Sequence, residues 1–225
     1  MVGEQDKMFK SQKYVFLNAL ILTVFIFAVG VAIGYWFESL RVDKVNILYL
    51  NAELSMLDMR VVSDLFAGNV NCENAIKENI NFGDKIYSEA RMLERYENAQ
   101  RLSEILKIQH YKYDLLRVMF FRNSITIKER CNESFHTVVY LYQYNEPSLE
   151  LKNRQAVFSN MLLRVKEKRG SNIVLIPIAG DLNFSSVSLI IREYNITKLP
   201  TILIDEKTKI TEIMTAEEVN SLIGQ

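Results

Sequence analysis

The apolar positions of this chain follow three successive rhythms, each predicting a different kind of element. Residues 14–37 contain no charge and are dense in Leu, Ile, Val, Phe and Ala. At about 1.5 Å per residue such a run crosses a hydrocarbon core of roughly 30 Å, so it predicts one transmembrane helix. It exceeds the roughly 7 to 15 residues of a signal-peptide core, and no Ala-x-Ala cleavage pattern closes it. Tyr35 and Trp36 stand at its far edge, where amphipathic rings favour the interface. Beyond it, Ile47, Leu50, Leu54, Leu57 and Val61 alternate spacings of three and four, the seam of a helix that packs on another helix. This helix is expected to end near Gly68-Asn69. A second apolar stripe, Ile76, Ile80, Ile86, Ala90 and Leu93, carries Gly83 as an expected kink, and a third runs from Leu102 through Leu116 and Phe120. Arg91, Glu94, Arg95 and Glu97 between them read as a solvated face. The first proline of the chain is Pro147, so nothing of that kind breaks these helices. Residues 38–131 therefore read as an antiparallel helical hairpin or small bundle, with a coiled coil to a second copy left open.

From His136 the rhythm shortens. Val138-Val-Tyr-Leu-Tyr-Gln-Tyr144 is β-branched and aromatic, as in a buried strand, and a helix from about Leu149 to Lys168 follows with Leu151, Phe158, Met161, Leu162 and Val165 on one face. Residues 172–179 form a nearly uninterrupted apolar run, typical of a strand covered on both faces. Pro177 inside that run predicts an early end to the strand, because proline cannot donate to a ladder. A short helix from Ser185, a turn at Pro200, a strand over 201–205, a hairpin return over 209–214 and a last helix behind the capping box Thr215-Ala-Glu-Glu218 complete the chain.

Composition narrows the function classes. The chain has 225 residues, with 27 basic and 27 acidic side chains, so no charge excess points to nucleic acid. Two histidines and two cysteines, His110, His136, Cys72 and Cys131, lack metal-site spacing, and no metal or other cofactor is expected. Lys7, Lys10 and Lys13 precede the span, whereas Arg41 and Lys44 follow it, which favours a cytoplasmic tail over 1–13 and a C-terminal region outside the cytoplasm. Gly30 and Gly34 fit the small-xxx-small pattern of packed membrane helices, with a lipid-facing chance match left open. Asn18 is read as an interfacial residue rather than a cross-helix partner.

The order strand, helix, strand, helix, strand, strand, helix over 132–225, together with Tyr194-Asn-Ile-Thr-Lys-Leu-Pro200-Thr-Ile-Leu-Ile-Asp205, resembles a thioredoxin-like domain. The whole chain is similar to membrane-anchored archaeal proteins in which such a domain follows a helical stalk. The resemblance implies an α/β thioredoxin-like fold of order βαβαββα, with a cis Pro200 and a peptide-binding loop at Leu199, Pro200 and Thr201. It also implies Cys-x-x-Cys after the first strand, at a helix N-terminus that lowers a thiol pKa. Here that region reads Asn145-Glu-Pro-Ser-Leu-Glu-Leu-Lys152. Pro147, Ser148, Leu149 and Leu151 are thus a degenerate active-site region, in which Ser148 makes a helix cap and has no evident general base.

Cys72 opens the second stalk helix and Cys131 precedes the domain, so a hairpin brings both to one end. A structural disulfide is expected, with two unlinked thiols and a redox-active pair as alternatives. Asn132, Asn183 and Asn195 begin Asn-x-Ser/Thr sequons, which matter only outside the cytoplasm. Two functions remain. One is a redox-inactive, single-pass, membrane-tethered binding or scaffold protein, with the bilayer, a protein or peptide and a second copy as partners. The other is an extracytoplasmic thiol-disulfide oxidoreductase that uses Cys72 and Cys131 or a partner's cysteines. No catalytic residue is assigned.

Overall fold

A computed structural model describes residues 2–66, 71–99, 104–132, 135–145 and 148–223. Its helices are α1 (Val2–Phe66), α2 (Cys72–Ala99), α3 (Glu104–Cys131), α4 (Leu149–Arg169), α5 (Ser185–Glu193) and α6 (Ala216–Leu222), with one 3-10 turn at Gly170–Asn172. The strands are β1 (His136–Tyr142), β2 (Ile173–Ala179), β3 (Thr201–Ile204) and β4 (Thr208–Ile210). The chain divides into two compact units, residues 1–47 and 48–225.

In the first unit, Tyr14–Leu40 is an exposed helical stretch long and apolar enough to cross a membrane, as a membrane anchor or signal sequence does. Thr23 satisfies its hydroxyl within the helix by donating to the Ala19 carbonyl at 2.8 Å. At Gly30 and Gly34 an added Cβ would meet no atom within 4 Å.

The second unit is mixed α/β. Its four strands lie in the order β2-β1-β3-β4. β1 and β2 are parallel, whereas β1–β3 and β3–β4 are antiparallel. The α4 crossover makes the parallel pair possible, and the turn after Ile204 makes the last hairpin. One face of the sheet, carrying Val138, Tyr140, Leu175, Ile202 and Ile204, shares a core with Phe158, Leu162 and Val165 of α4 and Val219 of α6. The alternate positions, Val139, Leu141, Val174, Ile176 and Leu203, are buried as well, and α3 packs on β1 and β2.

Sequence expectations meet the structure at Gly83, Pro177 and α1. Gly83 lies within α2, where its missing side chain permits close approach: a Cβ would come within 3.0 Å of the Phe120 ring and 3.3 Å of Val174. Pro177 does not end β2; the strand continues to Ala179, with Pro177 in register opposite Tyr140. β2 is an edge strand, so the missing N–H interrupts no second ladder. α2 runs beside this edge and reaches the α4 layer, where Asp84 accepts from Lys166 Nζ at 2.6 Å. Helices α2 and α3, read from sequence as stalk, thus lie on the sheet.

The third concerns α1. Among its described side chains Ser55 and Met59 are buried: Ser55 Oγ accepts from Lys85 Nζ at 3.0 Å, and Asn123 approaches the Met59 sulfur at 3.1 Å. The seam residues Leu50, Leu54, Leu57 and Val61 are exposed instead. Gly68 and Asn69, the expected helix end, lie outside the described residues, as do the side chains of Arg91, Glu94, Arg95 and Glu97.

The bridge Cys72–Cys131 is formed, with Cα atoms 5.4 Å apart and a sequence separation of 59. It joins the start of α2 to the end of α3. Between these helices Asn79 Nδ2 donates to Ser124 Oγ at 3.1 Å in a buried setting, and Ser124 donates to the Phe120 carbonyl at 2.9 Å.

A second polar cluster ties α3 to the sheet. Lys128 Nζ donates to Asp205 Oδ1 at 2.7 Å, Glu206 Oε2 at 3.0 Å and Thr137 Oγ1 at 3.2 Å. Thr137 Oγ1 donates to Glu206, and His136 Nδ1 stands 2.7 Å from Asp205 Oδ2. Asp205 and Glu206 form the β3–β4 turn with φ of 47° and 59°, the left-handed geometry that a tight hairpin requires. Burial raises the Asp205 pKa, but the bonds from Lys128 and His136 outweigh it and leave the carboxyl below its ordinary range. Its folded pKa is therefore below its unfolded one, near 3.9, so its contribution is complete above that value and lost as pH falls through the folded value. Asp205→Asn is expected to flatten the loss of stability below about pH 4, read as the urea midpoint against pH, since asparagine suits the same backbone. An unchanged acid limb would remove Asp205 from this account.

Candidate functional site

The carboxyl ends of parallel strands leave a crevice where ligands bind in open α/β sheets, because the following loops diverge there. In this chain that place is where β1 and β2 end, and local bonds fix its loops. Gly180 N donates to the Tyr142 carbonyl at 2.7 Å. The Asp181 carboxylate accepts from the backbone N–H groups of Tyr144 and Asn145, both at 2.8 Å, which ties the loop after β1 to the loop after β2. The Gln155 amide of α4 closes a two-way clamp on Gln143, accepting from its N–H at 2.6 Å and donating to its carbonyl at 3.1 Å.

The sequence-predicted residues fall around this end. Ser148 caps α4, its hydroxyl accepting from Leu151 N at 3.3 Å. Leu149 is exposed and Leu151 half-buried, while Pro147 lies outside the described residues. The Leu199–Pro200 peptide is cis. Pro200 and Thr201 are buried, and the Thr201 hydroxyl donates to the Lys198 carbonyl. Leu199 lies on Gly180: a Cβ there would stand 2.8 Å from Leu199 Cδ1, so the glycine sets how closely the proline loop approaches the β2 end. The exposed sequon residues Asn132 and Asn195 adopt left-handed backbone, and Asn183 is exposed too.

Sequence reading missed the polar layer under this end. His110, Asp114 and Arg117 follow one another at i, i+4 and i+7 on α3, with Tyr113 between them. Arg117 Nη1 donates to Asp114 Oδ1 at 2.8 Å, with both side chains buried. His110 Nε2 is 2.9 Å from Asp114 Oδ2. The same His110 nitrogen is 3.2 Å from the Tyr142 hydroxyl, and its ring stacks on Tyr144 with centroids 3.9 Å apart. Tyr111 meets Phe184 edge-on at 5.7 Å, which brings the start of α5 to this aromatic group.

The electrostatics follow from burial. Desolvation pushes the Asp114 pKa up, but Arg117 and then His110 outweigh it, so its carboxyl lies below the ordinary range. Desolvation pulls Arg117 down, and Asp114 reverses this to hold it above its usual value. Burial raises the Tyr113 hydroxyl, which donates to the Ile86 carbonyl at 2.6 Å beneath the Arg117 guanidinium. The layer thus fixes His110, Tyr142 and Tyr144 as an aromatic and polar support below the loops. A repeated i+3, i+4 spacing of ionic residues with an intervening tyrosine was its only signal in sequence, and exposed helices carry the same pattern.

Among the described residues no cysteine is free, and no three His, Cys, Asp or Glu side chains group as metal ligands. The arrangement offers a shaped surface with an apolar rim at Leu149 and Leu199. No family model, curated protein or solved structure matches this chain.

Proposed function

We propose that this chain is a membrane-tethered, redox-inactive binding protein of thioredoxin-like build, receiving an extended protein segment at the joined ends of β1 and β2. The order of elements carries the reading: β1 to α6 run strand, helix, strand, helix, strand, strand, helix, as the resemblance implies, with a parallel βαβ crossover followed by an antiparallel hairpin. The use of Cys72 and Cys131 in a bridge between helices supports a surface without thiol chemistry. Ser148 stands where a reactive cysteine would act and serves as a cap. A disulfide also suits a domain outside the cytoplasm, with residues 1–13 inside. Since Pro200 and Thr201 are themselves buried, the segment meets Leu199, Leu149 and the loop backbone.

Peptides selected by display against the full chain in lipid nanodiscs supply the probe. Leu149→Asp and Leu199→Ala are expected to weaken binding by roughly tenfold or more, about 1.4 kcal/mol, with the circular dichroism spectrum unchanged. Binding indifferent to both substitutions sinks this placement. Insulin reduction by the wild type that disappears in Cys131→Ser replaces the reading with an oxidoreductase.

A further inference from the structure

We propose that the face of α1 carrying Leu50, Leu54, Leu57 and Val61 is the seam of a parallel two-stranded coiled coil with a second copy of this chain. These side chains are 60, 64, 56 and 56 % exposed, although each is large and apolar. A single exposed leucine needs no explanation, but a continuous stripe does. Their spacing of four, three and four is the a/d heptad repeat, which keeps one stripe facing a partner helix as the two supercoil. In that register Leu54 and Val61 are a residues and Leu50 and Leu57 are d residues. Ile47, the preceding a position, is also exposed. β-branched residues at two of three a positions with leucine at both d positions favour two parallel strands.

Other positions on α1 already have partners within the chain. Ser55 and Met59, at b and f, are buried, packed toward α2 and α3 through Lys85 and Asn123. The helix is thus occupied on the b/f side and vacant along a/d, the division expected of one that serves its own core and a second copy together. Two heptads make a short seam, and in free solution they would associate weakly. Covalent attachment to Tyr14–Leu40 changes this: copies sharing a bilayer run in the same direction and meet at high effective concentration. One charge pair opposes the contact. In the parallel register Glu53 at g faces Asp58 at e of the second copy, although Lys112 stands 3.4 Å from Glu53 and offsets its charge.

The inference does not depend on the peptide-binding reading. Its test uses the full chain in lipid membranes, with single cysteines added beside the intact native bridge. Leu57→Cys is expected to cross-link between copies at least tenfold more than Ser63→Cys, which lies on α1 away from the stripe. Leu54→Glu with Leu57→Glu is expected to lower the dimer fraction in diluted membranes at least tenfold without moving the melting temperature. Asp58→Arg is expected to raise it, by setting a cation opposite Glu53. Equal cross-linking at positions 57 and 63, or a dimer that survives the double glutamate variant, overturns the proposal. In the second case the contact belongs to the membrane span, where Gly30 and Gly34 are the first positions to change.

Discussion

Replacing Cys72 and Cys131 together by alanine is expected to lower the free energy of unfolding by about 4 kcal/mol. The bridge closes a loop with a sequence separation of 59 residues. In the chain-entropy account, opening a loop of this length frees the unfolded ensemble, while the folded state keeps its other contacts. Those contacts are substantial: Asn79 with Ser124, and Gly83 beneath Phe120, hold α2 on α3 without the sulfurs. The variant should therefore keep its fold and its circular dichroism spectrum. Denaturant unfolding should show a lower midpoint together with a steeper slope, because an unbridged chain exposes more surface when it unfolds. The wild type with its bridge reduced should behave like the double variant. A loss below about 1 kcal/mol means either that the unfolded chain stays compact in this loop or that the bridge is not maintained.

Arg117→Met is expected to cost about 3 to 5 kcal/mol, the range for leaving one partner of a buried ion pair uncompensated. Asp114 is 0 % exposed and Arg117 4 %, so water cannot take over the missing contact. Adding Asp114→Leu should restore part of the loss, since an apolar pair of similar volume replaces a buried ionic one at little or no cost. The dependence on pH separates this from a simple packing defect. In the wild type the Asp114 carboxyl lies below its ordinary range, so its contribution is complete above the unfolded pKa of about 3.9 and is lost as pH falls through the folded value. Without Arg117 only His110 opposes desolvation, so the folded pKa of Asp114 rises from its wild-type position. Protonation then costs the variant less stability than it costs the wild type, and the deficit of the variant should shrink as pH falls from 7 to 3. A deficit constant over that interval points to lost packing around the Arg117 stem and not to a stranded charge.

Much of the architecture was legible because single elements announce themselves locally. The run of 14–37, the β-branched strand at Val138 and the capping box at Thr215 each carry their own reason for forming, and Glu218 N donates to the Thr215 hydroxyl as expected. The pairing of Cys72 with Cys131 was legible because two helices of similar length bring their distant ends together. The role of α3 was not. Asp114, Arg117, Asn123, Ser124 and Lys128 are buried in it beside Leu116 and Phe120, so its polar residues do not mark a solvent side. A helix buried nearly all round leaves a pattern indistinguishable from a surface helix once its polar groups satisfy one another. The candidate site divides likewise. Leu199, Pro200 and Ser148 were found through the resemblance, whereas His110 and Asp114 belong to it only through a packing of α3 on β1 that no local pattern encodes.

The turn at Asp205 and Glu206 bears on the order in which this protein is made. Its counter-ion, Lys128, lies 77 residues earlier in the chain and leaves the ribosome first. By the time β3 and β4 are synthesised, α3 can already be present with its ammonium group in position. The last hairpin then closes onto a completed surface rather than founding one, and termination within β3 leaves a nascent chain whose Lys128 has neither Asp205 nor Glu206 to answer it.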